Sequence, residues 1–191
     1  DTPILLALGG KRLALSWPWK SSGGTYSYDV RVAQSFDDGK TWSAPITPHR
    51  DHTPTEHGFV SLIPAGERVR AVWLDGRKTV GASEHHGDEH GNAEMTLRTA
   101  LIGREGELTD EKELDGRVCD CCPTAMIPAG SGALMVYRDR TADEVRDFAV
   151  MRWAGGSWGE AKPLGQDNWK INACPVNGAA LDAVGAIAAK L

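Results

Sequence analysis

The sequence predicts an all-β fold built from repeated four-stranded antiparallel blades, the architecture of a β-propeller. Three observations carry this. Ile63-Pro64-Ala65-Gly66 returns as Ile127-Pro128-Ala129-Gly130, 64 residues later. Seven positions after each of those glycines stands an aromatic, Trp73 and Tyr137, and Gly10 and Trp17 keep the same spacing 56 residues upstream. The apolar segments alternate with a period of two, the period of strands and not of helices. A β-sandwich is the competing architecture, but repeats of this length made of short alternating runs are how propeller blades read.

Each unit reads alike. A first strand (Phe59 to Ile63; Ala125 to Ile127) enters the glycine turn. A second, short and apolar (Val69 to Leu74; Ala133 to Tyr137), leaves it. A third alternates (Asp29 to Ser35; Met95 to Ile102; Phe148 to Trp153), and a short fourth precedes the next unit. This assigns residues 1–50, 51–116 and 117–169 to blades and 170–191 to the opening of a further one, with Gly185 as its turn glycine. The last residues, Ala186 to Leu191, form an apolar run without a turn signal. The expectation is therefore an incomplete propeller, closed by the remainder of a longer protein or by a second copy in a symmetric pair.

Composition agrees. Seven Trp and 22 Gly in 191 residues suit short strands and tight turns better than long helices. A net charge of −5 gives no basic footprint for nucleic acid. No apolar run reaches the roughly 18 residues of a membrane helix, and no signal peptide is recognisable.

Ser35-Phe36-Asp37-Asp38-Gly39-Lys40-Thr41-Trp42 fits the pattern Ser-x-Asp-x-Gly-x-x-Trp. In such a hairpin turn the Asp side chain caps backbone N–H groups, Gly takes a conformation other residues avoid, and Trp is expected to pack beneath. The octapeptide resembles the Asp-box of sialidases and related BNR-repeat proteins. Gly155-Gly156-Ser157-Trp158 is a degenerate copy without the Asp, and Gly103-Arg104-Glu105-Gly106 lacks the Trp. The resemblance implies part of a six-bladed sialidase-type propeller, secreted or periplasmic, with Ser35, Asp37, Gly39 and Trp42 on the outer rim. It implies a carbohydrate or glycoconjugate partner and exo-glycosidase-type hydrolysis of sialic-acid-like sugars. Family sialidases clamp the substrate carboxylate with three arginines, and use a Tyr nucleophile paired with a Glu and an Asp acid/base. This sequence lacks the family's Arg-Ile-Pro signature, and no Tyr/Glu pair can be assigned. A non-catalytic glycan- or protein-binding propeller, and a metal or redox protein built on the cysteines, therefore stand beside the hydrolase.

In propellers the first strand of each blade lines the axis. The 64-residue offset aligns Glu56 with Asp120, His57 with Cys121 and Gly58 with Cys122. Pro175 aligns with Pro123, which sets Asn172 beside Glu56 and Asp120, and Cys174 beside Cys122. Glu56, Asp75, Asp120 and Asp139 are thus the catalytic candidates. Arg77, Arg138 and Arg140, which follow the second strands, are candidates for binding substrate, with His57 and Asn172.

The four cysteines, Cys119, Cys121, Cys122 and Cys174, admit three readings: a disulfide, Cys122–Cys174 on the alignment; a thiolate metal site joined by His57; or plain buried thiols. Glu84-His85-His86-Gly87-Asp88-Glu89-His90 reads as a solvated loop or as a second place for a divalent cation. No cofactor beyond such a metal ion is implied.

Overall fold

The computed structural model describes residues 1–81, 94–171 and 173–182. Asn172, the Glu84–His90 segment and the run from Gly185 to Leu191 lie outside the described residues. The rest forms three antiparallel sheets. The first holds β1 (Ile4–Gly9), β2 (Arg12–Lys20) and β3 (Tyr28–Ser35) in sequence order. The second holds β4 (His57–Ala65), β5 (Arg68–Asp75), β6 (Thr96–Ile102) and β7 (Leu108–Asp115), again in order. In the third, β8 (Ala125–Ala129), β9 (Gly132–Arg138) and β10 (Phe148–Ala154) run side by side, and β10 also pairs with β11 (Ser157–Trp158) and β12 (Lys162–Pro163). A 3₁₀ turn over Arg77–Thr79 is the helical element among the described residues, and no described helix is long and apolar enough to cross a membrane.

The repeated glycines make the repeated hairpins. Gly66 and Gly130 both sit at positive φ, 63° and 61°, which closes the turns β4–β5 and β8–β9 in the same way. The expected short fourth strand takes a different form in each sheet. β7 is eight residues long. β11 and β12 are two residues each. In the first sheet, a single bridge from Val32 to Ile46 stands outside the three strands.

The second sheet is buried on both faces, which explains why β5 reads as a nearly unbroken apolar run. Val69, Ala71 and Trp73 point toward the first sheet, joining Leu8, Ala14, Val30, Val32, Val60 and Leu62. Val72 and Leu74 point the other way, joining Met126, Met135, Tyr137 and Met151 of the third. Arg70 shares that second face. Its guanidinium pairs with Asp110 at 3.0 Å and lies over the rings of Trp153 and Trp158 at 4.9 and 5.9 Å. The first strands converge: β4 packs against both β1 and β8. That convergence brings Glu56 and Asp120, just ahead of β4 and β8, to the same end of the assembly.

Candidate functional site

Glu56 is held by its backbone. Its carbonyl accepts from Gly76 N at 2.8 Å, and Tyr28 N donates to the neighbouring Thr55 carbonyl at 3.1 Å, so the segment is fixed to β3 on one side and to the end of β5 on the other. Gly76 has no room for a side chain, since a Cβ there would stand 2.7 Å from the Glu56 carbonyl oxygen. Immediately after Glu56 the β4–β5 register slips between Gly58 and Ser61, and Phe59 takes φ 53°, its N–H donating to the Asp1 carboxylate at 2.8 Å. Bulges of this kind re-aim side chains beside functional clefts. The Glu56 side chain reaches a cavity of about 420 Å³ lined also by Asp1, Pro18, Thr25, Tyr26, Tyr28, His57 and Gly58.

Burial, and then the negative charge of Asp120, push the Glu56 carboxyl up to about 7. The alignment that set Glu56 beside Asp120 thus describes two carboxyl groups that feel one another. Asp120 is more open and is paired with Arg140 at 3.2 Å.

Under Glu56 lies a buried ionic network. The rings of His49 and His57 stack with centroids 3.8 Å apart and planes within 2°. His49 Nε2 accepts from Val30 N at 3.2 Å, which leaves its Nδ1–H for Asp51 at 3.1 Å. His57 has only acceptors around it: Nδ1 faces the Tyr28 carbonyl and Nε2 faces Asp51, both at 3.1 Å. Both nitrogens must donate, so His57 is assigned as the imidazolium. Burial opposes the charged ring, but Asp51 and Asp75 outweigh it and its pKa is raised. Burial likewise works to raise Asp51, and donation from His49, His57 and Thr53 overcomes it and holds the carboxyl far below the usual range. Arg77 completes the set with a bidentate pair to Asp75, both contacts at 2.7 Å, and a contact to Asp51 at 3.3 Å. Two cations thereby balance two carboxylates.

Several expected roles change. Asp75 is fully buried and accepts from Trp73 Nε1 and Arg77. His57 lines the cavity, and both its nitrogens face acceptors, the Tyr28 carbonyl and Asp51. Arg77, Arg138 and Arg140 do not present free forks. Arg138 donates to the carbonyls of Asn177 and Arg146 at 2.8 and 2.6 Å and lies over Phe148 and Trp169. Arg140 is buried between Glu144 and Asp120. Asp139 is half-buried near Asp115 and Asp147, and burial and those charges raise its pKa. The disulfide joins Cys174 to Cys121, not to Cys122, with 6.1 Å between Cα atoms. Cys119 and Cys122 are free and buried, their sulfurs 2.9 Å apart. The four sulfurs thus divide into one disulfide and two thiols, and His57 stands apart from them with Asp51 and Asp75.

At the far end of β3, Asp37 accepts from Thr41 N and Oγ1 at 2.8 and 2.7 Å, and Gly39 N donates to Ser35 Oγ at 2.8 Å. The Trp42 ring lies against Gly39 of this turn. It is 40% exposed and closes the turn through Nε1 to the Gly39 carbonyl.

His49, Asp51, Tyr26 and Tyr28 escaped the repeat alignment, which began at Glu56. The cluster His49-Arg50-Asp51-His52 just upstream was the available signal.

No protein-family model matches the chain, and no curated protein matches it. Solved structures do. An α-L-arabinanase from Penicillium chrysogenum aligns over 85% of this chain and 50% of its own at 16% identity, with a TM-score of 0.52. An ulvan lyase, bound to a glucuronate–sulforhamnose oligosaccharide, aligns over 88% of this chain and 44% of its own at 11% identity, with a TM-score of 0.55. The fold is that of a β-propeller. At these identities the likeness shows the fold alone, and the chain spans half or less of the length of these two proteins. An intramolecular trans-sialidase from Ruminococcus gnavus also aligns, at a TM-score of 0.32, too loosely to bear on kinship.

Proposed function

We propose that the chain is part of a propeller that acts on a glycan at the cleft around Glu56. The observation that carries this is the carboxyl pair. Glu56 is pushed up to about 7 and can hold a proton at neutral pH, while Asp120 beside it is paired with Arg140. An acid that can give up its proton to a leaving oxygen, with a second carboxylate nearby, is the equipment of glycoside hydrolysis. Tyr26, Tyr28 and Pro18 supply an apolar wall on which a sugar ring can rest. The neighbours' names support the same class, arabinanase and ulvan lyase being propellers that work on carbohydrates.

The finer reading, exo-hydrolysis of sialic-acid-like sugars, calls for a free arginine clamp. Arg77, Arg138 and Arg140 are spent on internal acceptors, so the geometry favours a glycan that does not need that carboxylate held. The disulfide supports an oxidising setting, secreted or periplasmic. The experiment is a panel of aryl glycosides and polysaccharides, sialosides included, offered to the full-length protein and to its Glu56→Gln variant. Turnover of a neutral glycan that is lost in the variant supports the proposal. Turnover of sialosides alone would return the anion clamp, and undiminished turnover by the variant would remove Glu56 from the chemistry.

A further inference from the structure

Four sulfurs gather between the start of β8 and the segment that carries Cys174. Cys119, Cys121 and Cys122 place their Sγ atoms all within 4.8 Å of one another, and Cys121 is bonded to Cys174. Cys119 and Cys122 are almost wholly buried, whereas Cys174 is exposed. A buried dithiol therefore lies directly under an accessible disulfide.

Buried arginines stand beside the sulfurs. Arg140 and Arg146 are buried here, against the carboxylates of Glu144 and Asp120. Arg117, which also reaches Glu144, has Glu94 as its own counter-ion. Arg146 Nη1 points at Cys119 Sγ at 3.6 Å, so a Cys119 thiolate has a cation beside it. Cys122 Sγ lies 2.9 Å away, near enough for its S–H to turn toward Cys119 once Cys119 is a thiolate. Hydrogen bonding from Cys122 and the Arg146 charge lower Cys119 to about 6, against the pull of burial, and the same contact raises Cys122. A thiolate steadied by a cation and by a second thiol three residues on is the arrangement of an attacking cysteine.

We propose that these four cysteines form a thiol–disulfide exchange centre, in which the buried Cys119/Cys122 pair passes two electrons to the exposed Cys121–Cys174 disulfide. The steps balance within the chain. Cys119 thiolate attacks Cys121 Sγ, the Cys121–Cys174 bond breaks, and Cys174 leaves as a thiolate into solvent, where it takes up a proton. Cys122 loses its proton and attacks Cys119 Sγ, and Cys121 leaves as a thiolate and is protonated in turn. The inner pair is then a disulfide and the outer pair two thiols. The outer thiols can be reoxidised by a disulfide-bearing molecule, for which oxidised glutathione is the probe. The proposal does not rest on glycan chemistry at Glu56, although Asp120 serves both places.

The test is to equilibrate the protein in reduced and oxidised glutathione at graded ratios, quench with acid, alkylate and map the bonds by mass spectrometry. Molecules with one disulfide should divide between Cys121–Cys174 and Cys119–Cys122 isomers, and Cys122→Ser should accumulate a Cys119 mixed disulfide with Cys121 or glutathione. If one-disulfide molecules hold only Cys121–Cys174 at every ratio, with Cys119 and Cys122 always alkylated, the proposal fails. It fails equally if the purified protein carries four thiols and a stoichiometric metal ion. The wild-type map decides even if the variant does not fold.

Discussion

Glu56 carries a proton-transfer role only if its titration governs activity. With its carboxyl pushed up to about 7, kcat/KM against pH should show a limb in that region, set by loss of the acid form as pH rises. Glu56→Gln should remove the limb and lower kcat about 10²- to 10⁴-fold, the usual weight of a positioned acid or base. His57 makes a separate, structural prediction. Its pKa is raised in the folded chain, so its contribution to stability is complete below the unfolded value of about 6.5 and is lost as pH rises through the folded value. Melting temperatures of the wild type and His57→Gln should differ most at mildly acidic pH and converge in alkali; a gap that widened with pH would refute the imidazolium. Asp37 is the control residue. Asp37→Ala should lower the melting temperature while leaving glycan binding intact, because its acceptors serve only the Ser35–Trp42 turn. The sequence could bring Glu56 to Asp120 because both precede equivalent strands. It could not reveal that Arg138 and Arg140 are already engaged, since Glu144, Arg146 and Asn177 come to them from loops that share no repeat.

At the scale of the strand, β5 is the clearest case of pattern becoming structure. Its alternate residues enter two different cores, so either set is sensitive. Leu74→Ala should cost about 2–5 kcal/mol in chemical denaturation, the range for emptying a well-packed apolar site. Loss near zero would mean the second and third sheets are not packed across that face. Gly76, just past β5, should act on the site instead. Gly76→Ala drives a Cβ into the Glu56 carbonyl, so catalytic efficiency should fall further than the melting temperature would suggest. Where the alignment failed, the strand period had stopped. β8 begins at Ala125, so Cys119 to Pro123 lie in a turn ahead of it, and strand alternation has no authority there. That is why Cys121, and not its neighbour, meets Cys174. Likewise the β4 bulge at Gly58 and Phe59 cannot be read from alternation, although it sets the backbone beside Glu56.

Across the whole molecule, the three sheets are not equivalent in what covers them. The second has a neighbour on each face. The first has one only on the side of Leu6 and Leu8. Its other face carries Leu5, 63% exposed, opposite Leu15 in register, and Trp19, 54% exposed. In the third sheet's neighbourhood Leu164 and Val176 are similarly open. A propeller covers such faces with further sheets, and the two solved structures of this fold are about twice as long. Produced as these 191 residues alone, the chain should use the same faces on a second copy, because a contiguous apolar face in water favours association. Light scattering should then report a mass that rises with concentration, and Leu5→Lys with Trp19→Lys should return it toward the monomer without lowering the melting temperature of the dilute protein. Those two positions lie outside both cores, so loss of folding in the double variant is not expected. A wild-type chain that stays monomeric at high concentration would show that the outer face of the first sheet tolerates water, and the need for a covering partner would be withdrawn.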